Sequence, residues 1–143
     1  MNYYVLDTDH LSILQRRSEP AFSKLSAKLS RYSPDLIFVT IVSFQEQFQG
    51  WMARINQVAS VAELIFAYRE MERLIQYFGT TQILPYDQKA ADIAENLKHQ
   101  RIRIGTLDLR IASIVLSENA ILLTRNQRDF GKVPNLRIED WTL

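Results

Sequence analysis

The sequence predicts an α/β fold with a central, mostly parallel sheet of about five strands and helices on both faces. Short runs of branched and aromatic residues alternate with longer segments of helical periodicity, as is typical of strand–helix–strand units. The first, second and fourth short runs show no polar alternation, which indicates strands covered on both sides. A length of 143 residues suits one domain, which we assign to residues 1–143.

The strands are predicted at the apolar runs 3–6, 36–39, 83–84, 121–123 and 136–138. Short helices are predicted around 11–14, 22–29 and 43–52, and further helices follow Asp87 and Thr106. The longest helix begins at Ser60 and Glu63, which have capping-box spacing. Its apolar residues recur at three- and four-residue steps, a stripe that most often faces a core: Val61, Leu64, Ile65, Tyr68, Met71, Ile75 and Phe78.

Composition excludes several classes of protein. The chain has no cysteine, so neither disulfides nor thiolate metal sites are possible. Its N-terminus has an acid at position 7 and no long apolar run, so we expect no signal peptide and no membrane span, and hence a cytoplasmic protein. A net charge of +1 is too small to indicate a nucleic-acid binder by itself.

Acidic residues stand where the predicted sheet would bring them to one crevice. Asp7 follows the first strand, Glu46 follows the second, and Asp108 lies in the first turn of the helix before the fourth. Ligands of parallel sheets bind beyond the carboxyl ends of the strands. Each acid also has a structural explanation. Asp7 or Asp9 could cap a helix, Glu46 could form a capping box with Ser43, and the helix dipole favours Asp108.

Taken together, the acids favour a metal site. Grouped carboxylates raise one another's pKa unless a cation neutralises them. Because the chain has no cysteine and only two histidines, His10 and His99, the available ligands are nearly all hard oxygens, which select Mg²⁺, or Mn²⁺, over Zn²⁺. Such an ion can orient a water and stabilise charge on a phosphodiester. The pattern therefore predicts metal-assisted hydrolysis.

Four segments carry a resemblance to a known family: YVLDTDHLS, TIVSFQEQFQG, IGTLDLRIASIVL and LLTRNQRDFGKVPNLRIEDW. In order and spacing they resemble the signature blocks of PIN-domain ribonucleases and, more narrowly, of VapC toxins from bacterial type II toxin–antitoxin pairs. The blocks run from Tyr4 to Trp141. The resemblance implies a PIN-like fold, metal-dependent endonucleolytic cleavage of RNA to 5′-phosphate and 3′-hydroxyl ends, and a growth-arresting role.

The resemblance also implies roles for particular residues. Asp7 and Asp108 would be the principal metal ligands, some through water, and Glu46 would help to orient the nucleophilic water. The family's fourth acidic position falls on Asn126, with Asp129 close behind, and this departure argues against a second tightly held metal. All five are therefore candidate catalytic residues. Thr124, with Asn126, would add polar contacts to the substrate.

The resemblance implies two protein partners. A small cognate antitoxin would silence the enzyme, with its tail in a groove near the active site, and the chain would form a homodimer. The exposed part of the long helix from Val61 to Phe78 is a candidate interaction surface, unless its stripe belongs to the core.

Basic residues near predicted loop ends are candidates for holding RNA phosphates. Solvated charge is the favoured explanation for any single one, but we expect some near Asp7 to matter, with Arg125 and Arg128 as the first choices. The other candidates are Arg16, Arg17, Arg101, Arg103 and Lys132. We expect both histidines to be surface or packing residues, and Trp51 and Trp141 to be core or interface residues.

Three alternatives remain open at this point. The Asp7–Thr8–Asp9 triplet is similar to that of aspartyl phosphatases, but Leu11 stands where Thr or Val is expected, and no later lysine block is obvious. The chain could be a housekeeping PIN nuclease without a toxin role. It could also be a catalytically silent PIN-like module that binds RNA or protein. Neither phosphate-binding glycine motif of the nucleotide-binding α/β folds is present.

Overall fold

A computed structural model describes all residues, 1–143, and contains a five-stranded sheet in which every strand is parallel to its neighbours. The strand order is β3-β2-β1-β4-β5, so the predicted fold class is confirmed. The strands are β1 (Tyr4–Leu6), β2 (Ile37–Thr40), β3 (Ile83–Leu84), β4 (Ile121–Leu123) and β5 (Arg137–Glu139).

Seven helices and one short 3-10 turn (Pro34–Leu36) connect the strands. The helices are α1 (Thr8–Arg16), α2 (Ala21–Leu29), α3 (Ile41–Ile55), α4 (Val61–Gly79), α5 (Gln88–His99), α6 (Thr106–Ser117) and α7 (Gln127–Phe130). The helix after Asp87 begins as predicted, since the Asp87 side chain accepts from the Ala90 amide at 3.0 Å. The four-residue α7 has too little periodicity for the sequence to predict it.

The sheet separates two hydrophobic cores because successive strand residues point to opposite faces. On one side, Val5 of β1 and Leu122 of β4 pack with buried residues of α5 and α6. On the other side, Leu6 and Leu123 pack with residues of α1, α2 and α4, and with Trp141 near the C-terminus. Both faces of the central strands are therefore covered, which explains why these strands lack polar alternation.

Helix α3 begins two residues before the sequence-based prediction. Thr40, the last residue of β2, caps it by accepting from the Ser43 amide at 3.1 Å. Ser43 is consequently a buried residue inside the first turn, and the alternative capping box of Ser43 with Glu46 is wrong. A direct strand-to-helix junction leaves no loop, so the helix takes its cap from the strand itself.

The apolar stripe of α4 mostly does not face the core. Ile65, Tyr68 and Ile75 are 53%, 53% and 58% exposed, and the buried residues of this helix are Ala67, Leu74 and Phe78. The interpretation of the stripe as core is therefore wrong for those three and for Val61, which is 74% exposed. The helix has apolar residues on two sides, and periodicity alone does not indicate which side packs. Despite this apolar character, neither α4 nor any other helix is long and apolar enough to span a membrane.

Candidate functional site

Asp7 lies at the carboxyl end of β1, at the centre of the sheet. Its amide donates to the Leu123 carbonyl at 2.9 Å. Its carboxylate accepts from the Thr8 amide at 2.8 Å and from the Thr124 hydroxyl at 2.7 Å. Burial, with only 6% of the residue exposed, and the negative charges of Asp9 and Asp108 raise the pKa of Asp7 to about 7. Asp7 is also the N-cap of α1, so its structural and functional interpretations are compatible.

Glu46 lies in the second turn of α3, six residues after the end of β2, and is partly buried. Its carboxylate accepts from the Thr8 hydroxyl at 2.9 Å, and that hydroxyl lies 3.0 Å from the Ser43 hydroxyl. Burial raises the pKa of Glu46, and the charges of Asp108 and Asp9 raise it further. The contact through Thr8 links the ends of two neighbouring strands, which brings Glu46 beside the start of α1.

Asp108 reaches the same edge of the sheet from a helix. Helix α6 leads into β4, and a crossover helix runs antiparallel to the strand that follows it. The first turn of α6, which contains Asp108, therefore lies at the carboxyl edge. Burial raises the pKa of Asp108, as do the charges of Asp129 and Asp9. The charge of Asp108 raises the pKa of both Asp7 and Glu46, so the three carboxylates share one crevice.

The negative charge of this crevice has no cationic side chain to balance it. None of Asp7, Glu46 and Asp108 forms an ion pair, whereas Asp129 pairs with Lys132. Hard carboxylate oxygens without a cation suit Mg²⁺ or Mn²⁺. No three acidic or histidine side chains are close enough to ligate one ion together. The donor set therefore fits an ion held by one or two carboxylates and completed by water.

The sequence suggested Asp9 as an alternative cap or as part of a phosphatase-like triplet, and the structure gives it a different role. Its Oδ2 accepts from the Arg125 amide at 2.9 Å and lies 3.3 Å from the Thr124 hydroxyl. Burial alone would raise the pKa of Asp9, but the hydrogen bonds from His10 and the Arg125 amide outweigh it and hold the pKa below its usual range. Asp9 therefore stays ionised and ties β1 to the segment after β4.

His10 is completely buried and connects Asp9 to the C-terminal segment. The Trp141 backbone N–H donates to its Nε2 at 3.2 Å, so the proton lies on Nδ1, which donates to Asp9 at 2.7 Å. Of the two positions expected for His10, surface or packing, the structure shows the packing one. Nothing in the sequence identifies this contact, because Trp141 is 131 residues away. His99, in contrast, is exposed.

We expect His10→Ala to destabilise the fold strongly. The change empties a buried volume and leaves the Trp141 amide and one Asp9 oxygen without their partner, which should lower the free energy of unfolding by about 2–4 kcal/mol. Urea titration measures the loss. His99→Ala is the matched control and should change stability by less than about 0.5 kcal/mol. Equal stability of the two variants would contradict a structural role for His10.

The segment after β4 contains the other predicted site residues. Thr124 is fully buried, and its hydroxyl contacts Asp7 and Asp9. Asn126 caps α7 by accepting from the Asp129 amide at 3.3 Å, and its amide group donates to the Asp129 carboxylate at 3.2 Å. That bond, and the nearby Lys132 charge, lower the pKa of Asp129. The side chains of Arg125 and Arg128 are exposed beside this segment.

Comparison with known proteins shows what this chain is similar to. No family model matches the chain. Ribonuclease VapC1 from Haemophilus influenzae is 28% identical over 140 residues, covering 97% of this chain and 98% of that protein. A solved DNA-bound VapBC from Salmonella typhimurium has the same fold, with a TM-score of 0.71, 22% identity and 99% of each chain covered. The chain is similar over nearly its whole length to a VapC ribonuclease and has the fold of a chain in a solved VapBC complex.

A second VapC sequence is similar over a shorter region. The tRNA(fMet)-specific endonuclease VapC from Salmonella typhimurium is 32% identical over 69 residues, covering 46% of this chain and 52% of that protein. Both VapC relatives are nucleases by name. The full-length match to the solved VapBC structure supports the fold described above.

Proposed function

We propose that the chain is a metal-dependent endoribonuclease and the toxin of a toxin–antitoxin pair. The observation that carries the proposal is the convergence of three carboxylates from different parts of the chain, without a balancing cation, at the carboxyl edge of a parallel sheet. Full-length similarity to a ribonuclease supports it. Mg²⁺ is the proposed cofactor, with Mn²⁺ as a substitute, because the ligands are hard oxygens.

In the proposed mechanism, Asp7 and Asp108 would hold the cation, some of the contacts being made through water. When bound, the cation supplies charge neutralisation and Lewis acidity at the scissile phosphate. Glu46 orients the attacking water and accepts its proton, since its raised pKa makes it a better base than an ordinary surface glutamate. Hydrolysis leaves 5′-phosphate and 3′-hydroxyl ends, and no histidine is needed.

In this proposal, polar residues next to the carboxylates hold them in position. The Thr124 hydroxyl fixes the orientation of Asp7 from a position that solvent does not reach. Thr8 fixes Glu46 in the same way. Asn126 and Asp129 form the far wall of the crevice, where the charge of Asp129 acts on Asp108. Arg125 and Arg128 remain proposed phosphate contacts at its rim.

The proposed partners are an RNA substrate, a small antitoxin and a second copy of the chain. The Salmonella typhimurium relative that matches over 69 residues is named a tRNA(fMet)-specific endonuclease, so transfer RNA is a substrate to test. The solved VapBC neighbour supports an antitoxin partner. The exposed apolar residues of α4, among them Ile65, Phe66 and Ile75, are a candidate surface for a partner protein.

Purified protein should cut single-stranded RNA and transfer RNA when Mg²⁺ or Mn²⁺ is present, and should stop when EDTA removes the metal. Adding the metal should also raise the free energy of unfolding. An ion that binds only the folded chain, at a free concentration 100 times its Kd, adds about 2.7 kcal/mol. Electrophoresis of end-labelled RNA and thermal melts measure the two effects. Binding of RNA without cleavage under all metal conditions would instead favour a silent binding module, and harmless overexpression would favour a housekeeping nuclease.

A further inference from the structure

A cleft of about 620 Å³ opens between α1, α3 and α4, beside the acidic crevice. Its volume lies in the range of small-ligand sites. Glu46 forms part of its lining, so the cleft and the proposed catalytic centre are continuous. At its floor the side-chain amides of Gln15 and Gln47 pair with each other at 2.6 and 3.0 Å. This reciprocal pairing holds the facing sides of α1 and α3 together.

Four arginines line the cleft, and three of them have no anionic partner. Arg73 pairs with Glu70 at 3.0 Å, whereas Arg16, Arg17 and Arg54 form no ion pair. The guanidinium of Arg54 lies 5.4 Å from the ring centre of Trp51, and that of Arg17 lies 5.8 Å from Phe22. Stacking on an aromatic ring holds a guanidinium in place while its N–H groups at the edge stay free to donate.

The charge of the cleft is opposite to that of the crevice it adjoins. An RNA strand is repelled by uncompensated carboxylates, so a nuclease with an acidic centre needs cationic groups beside it to hold the neighbouring phosphates. Arginine suits this task because its planar fork binds phosphate oxygens in pairs. The net charge of the chain is only +1, so a local group of arginines must provide this attraction.

We propose that this cleft holds the RNA backbone next to the scissile phosphate, with Arg16, Arg17 and Arg54 as positioning residues that bind its phosphates. Trp51 and Tyr77 supply flat apolar surface in the same lining, suited to a base or ribose. The contacts are to phosphate, so they position the strand without reading its sequence. This inference rests on the proposed nuclease function and adds a second part to its substrate site.

RNA binding by protein that cannot cleave the RNA tests the proposal directly. In an Asp108→Asn background, we would compare the triple variant Arg16→Gln/Arg17→Gln/Arg54→Gln with the triple variant Lys24→Gln/Arg69→Gln/Lys89→Gln. The control removes the same charge from exposed cations that lie outside the cleft and form no ion pair. Fluorescence anisotropy of a labelled single-stranded RNA gives Kd at several salt concentrations, and thermal melts verify folding.

The cleft variant should bind at least about tenfold more weakly at low salt, and its plot of log K against log salt should be flatter by about 0.7 per lost phosphate contact, or about 2 in all. With Asp108 restored, its KM for cleavage should rise while kcat changes little. Arg54→Gln alone, which keeps the other two arginines, should show about one third of the change in slope. Should the triple variant fail to fold, the single variant decides.

Two results would overturn the inference. One is a cleft variant whose Kd and salt slope match those of the control. The other is unchanged RNA binding together with lost binding of poly-L-glutamate, which would assign the arginines to an acidic protein segment. Failure of the nuclease proposal is a different outcome, since wild-type protein would then leave RNA uncut with Mg²⁺ and Mn²⁺ whatever these binding measurements show.

Discussion

Asp108→Asn should reduce RNA cleavage by about 10³-fold or more, the scale seen when a group that stabilises transition-state charge is removed. The substitution keeps the shape of the side chain but removes the negative charge that we propose holds the cation. Glu46→Gln should cause a loss of similar size, since a neutral amide cannot accept a proton from water. Initial rates on end-labelled RNA at saturating Mg²⁺ measure both losses of activity, with all proteins prepared by the same procedure.

The matched control is Asp92→Asn, which removes an exposed carboxylate from α5 that hydrogen-bonds only to Gln88 at 2.8 Å. Its rate should equal that of the wild type. A contaminating nuclease would cleave equally in both variant preparations, so a difference in rate between Asp92→Asn and Asp108→Asn excludes it. If Asp108→Asn and Asp92→Asn cleave equally fast, the assigned catalytic centre is wrong. A loss in Asp108→Asn that high Mn²⁺ partly restores would indicate a metal-binding role.

Asp7→Asn should make the metal-free protein more stable at pH 8. Because the pKa of Asp7 is raised to about 7 from 3.8, the folded state holds a proton that the unfolded state loses. Below about pH 4 both states are protonated and stability is unaffected. Stability then falls as the pH rises through 4 to 7, and above pH 7 the whole penalty is present. A shift of about three pKa units corresponds to about 4 kcal/mol, an upper bound for the gain.

Urea titrations of the metal-free protein from pH 5 to pH 8 measure this effect. The wild type should lose stability across the range while Asp7→Asn loses much less, and added Mg²⁺ should stabilise only the wild type at pH 8. An amide at position 7 retains an oxygen for the Thr8 amide and can donate to the Thr124 hydroxyl, so the hydrogen bonds survive. Parallel pH profiles for the two proteins would show that Asp7 is not destabilised by burial.

Local sequence determined much of this molecule. Unbroken apolar runs predicted the covered parallel strands, because a strand with helices on both sides has no solvent face on which to carry polar residues. The positions of Asp7 and Glu46 after the first two strands followed from the same rule, since parallel strands deliver their carboxyl ends to one edge. Asp108 was predicted at the same edge, because it lies in the first turn of the helix that leads into the fourth strand, and the resemblance supported all three.

Tertiary structure alone decided the rest. The partner of His10 is an amide 131 residues away, and no local pattern encodes a contact over that distance. Which side of α4 packs also depended on its neighbours, because the helix offers apolar residues on two sides. The arginine cleft likewise exists only where α1, α3 and α4 meet. Periodicity describes one element at a time, whereas pairing, burial and charge balance arise between elements.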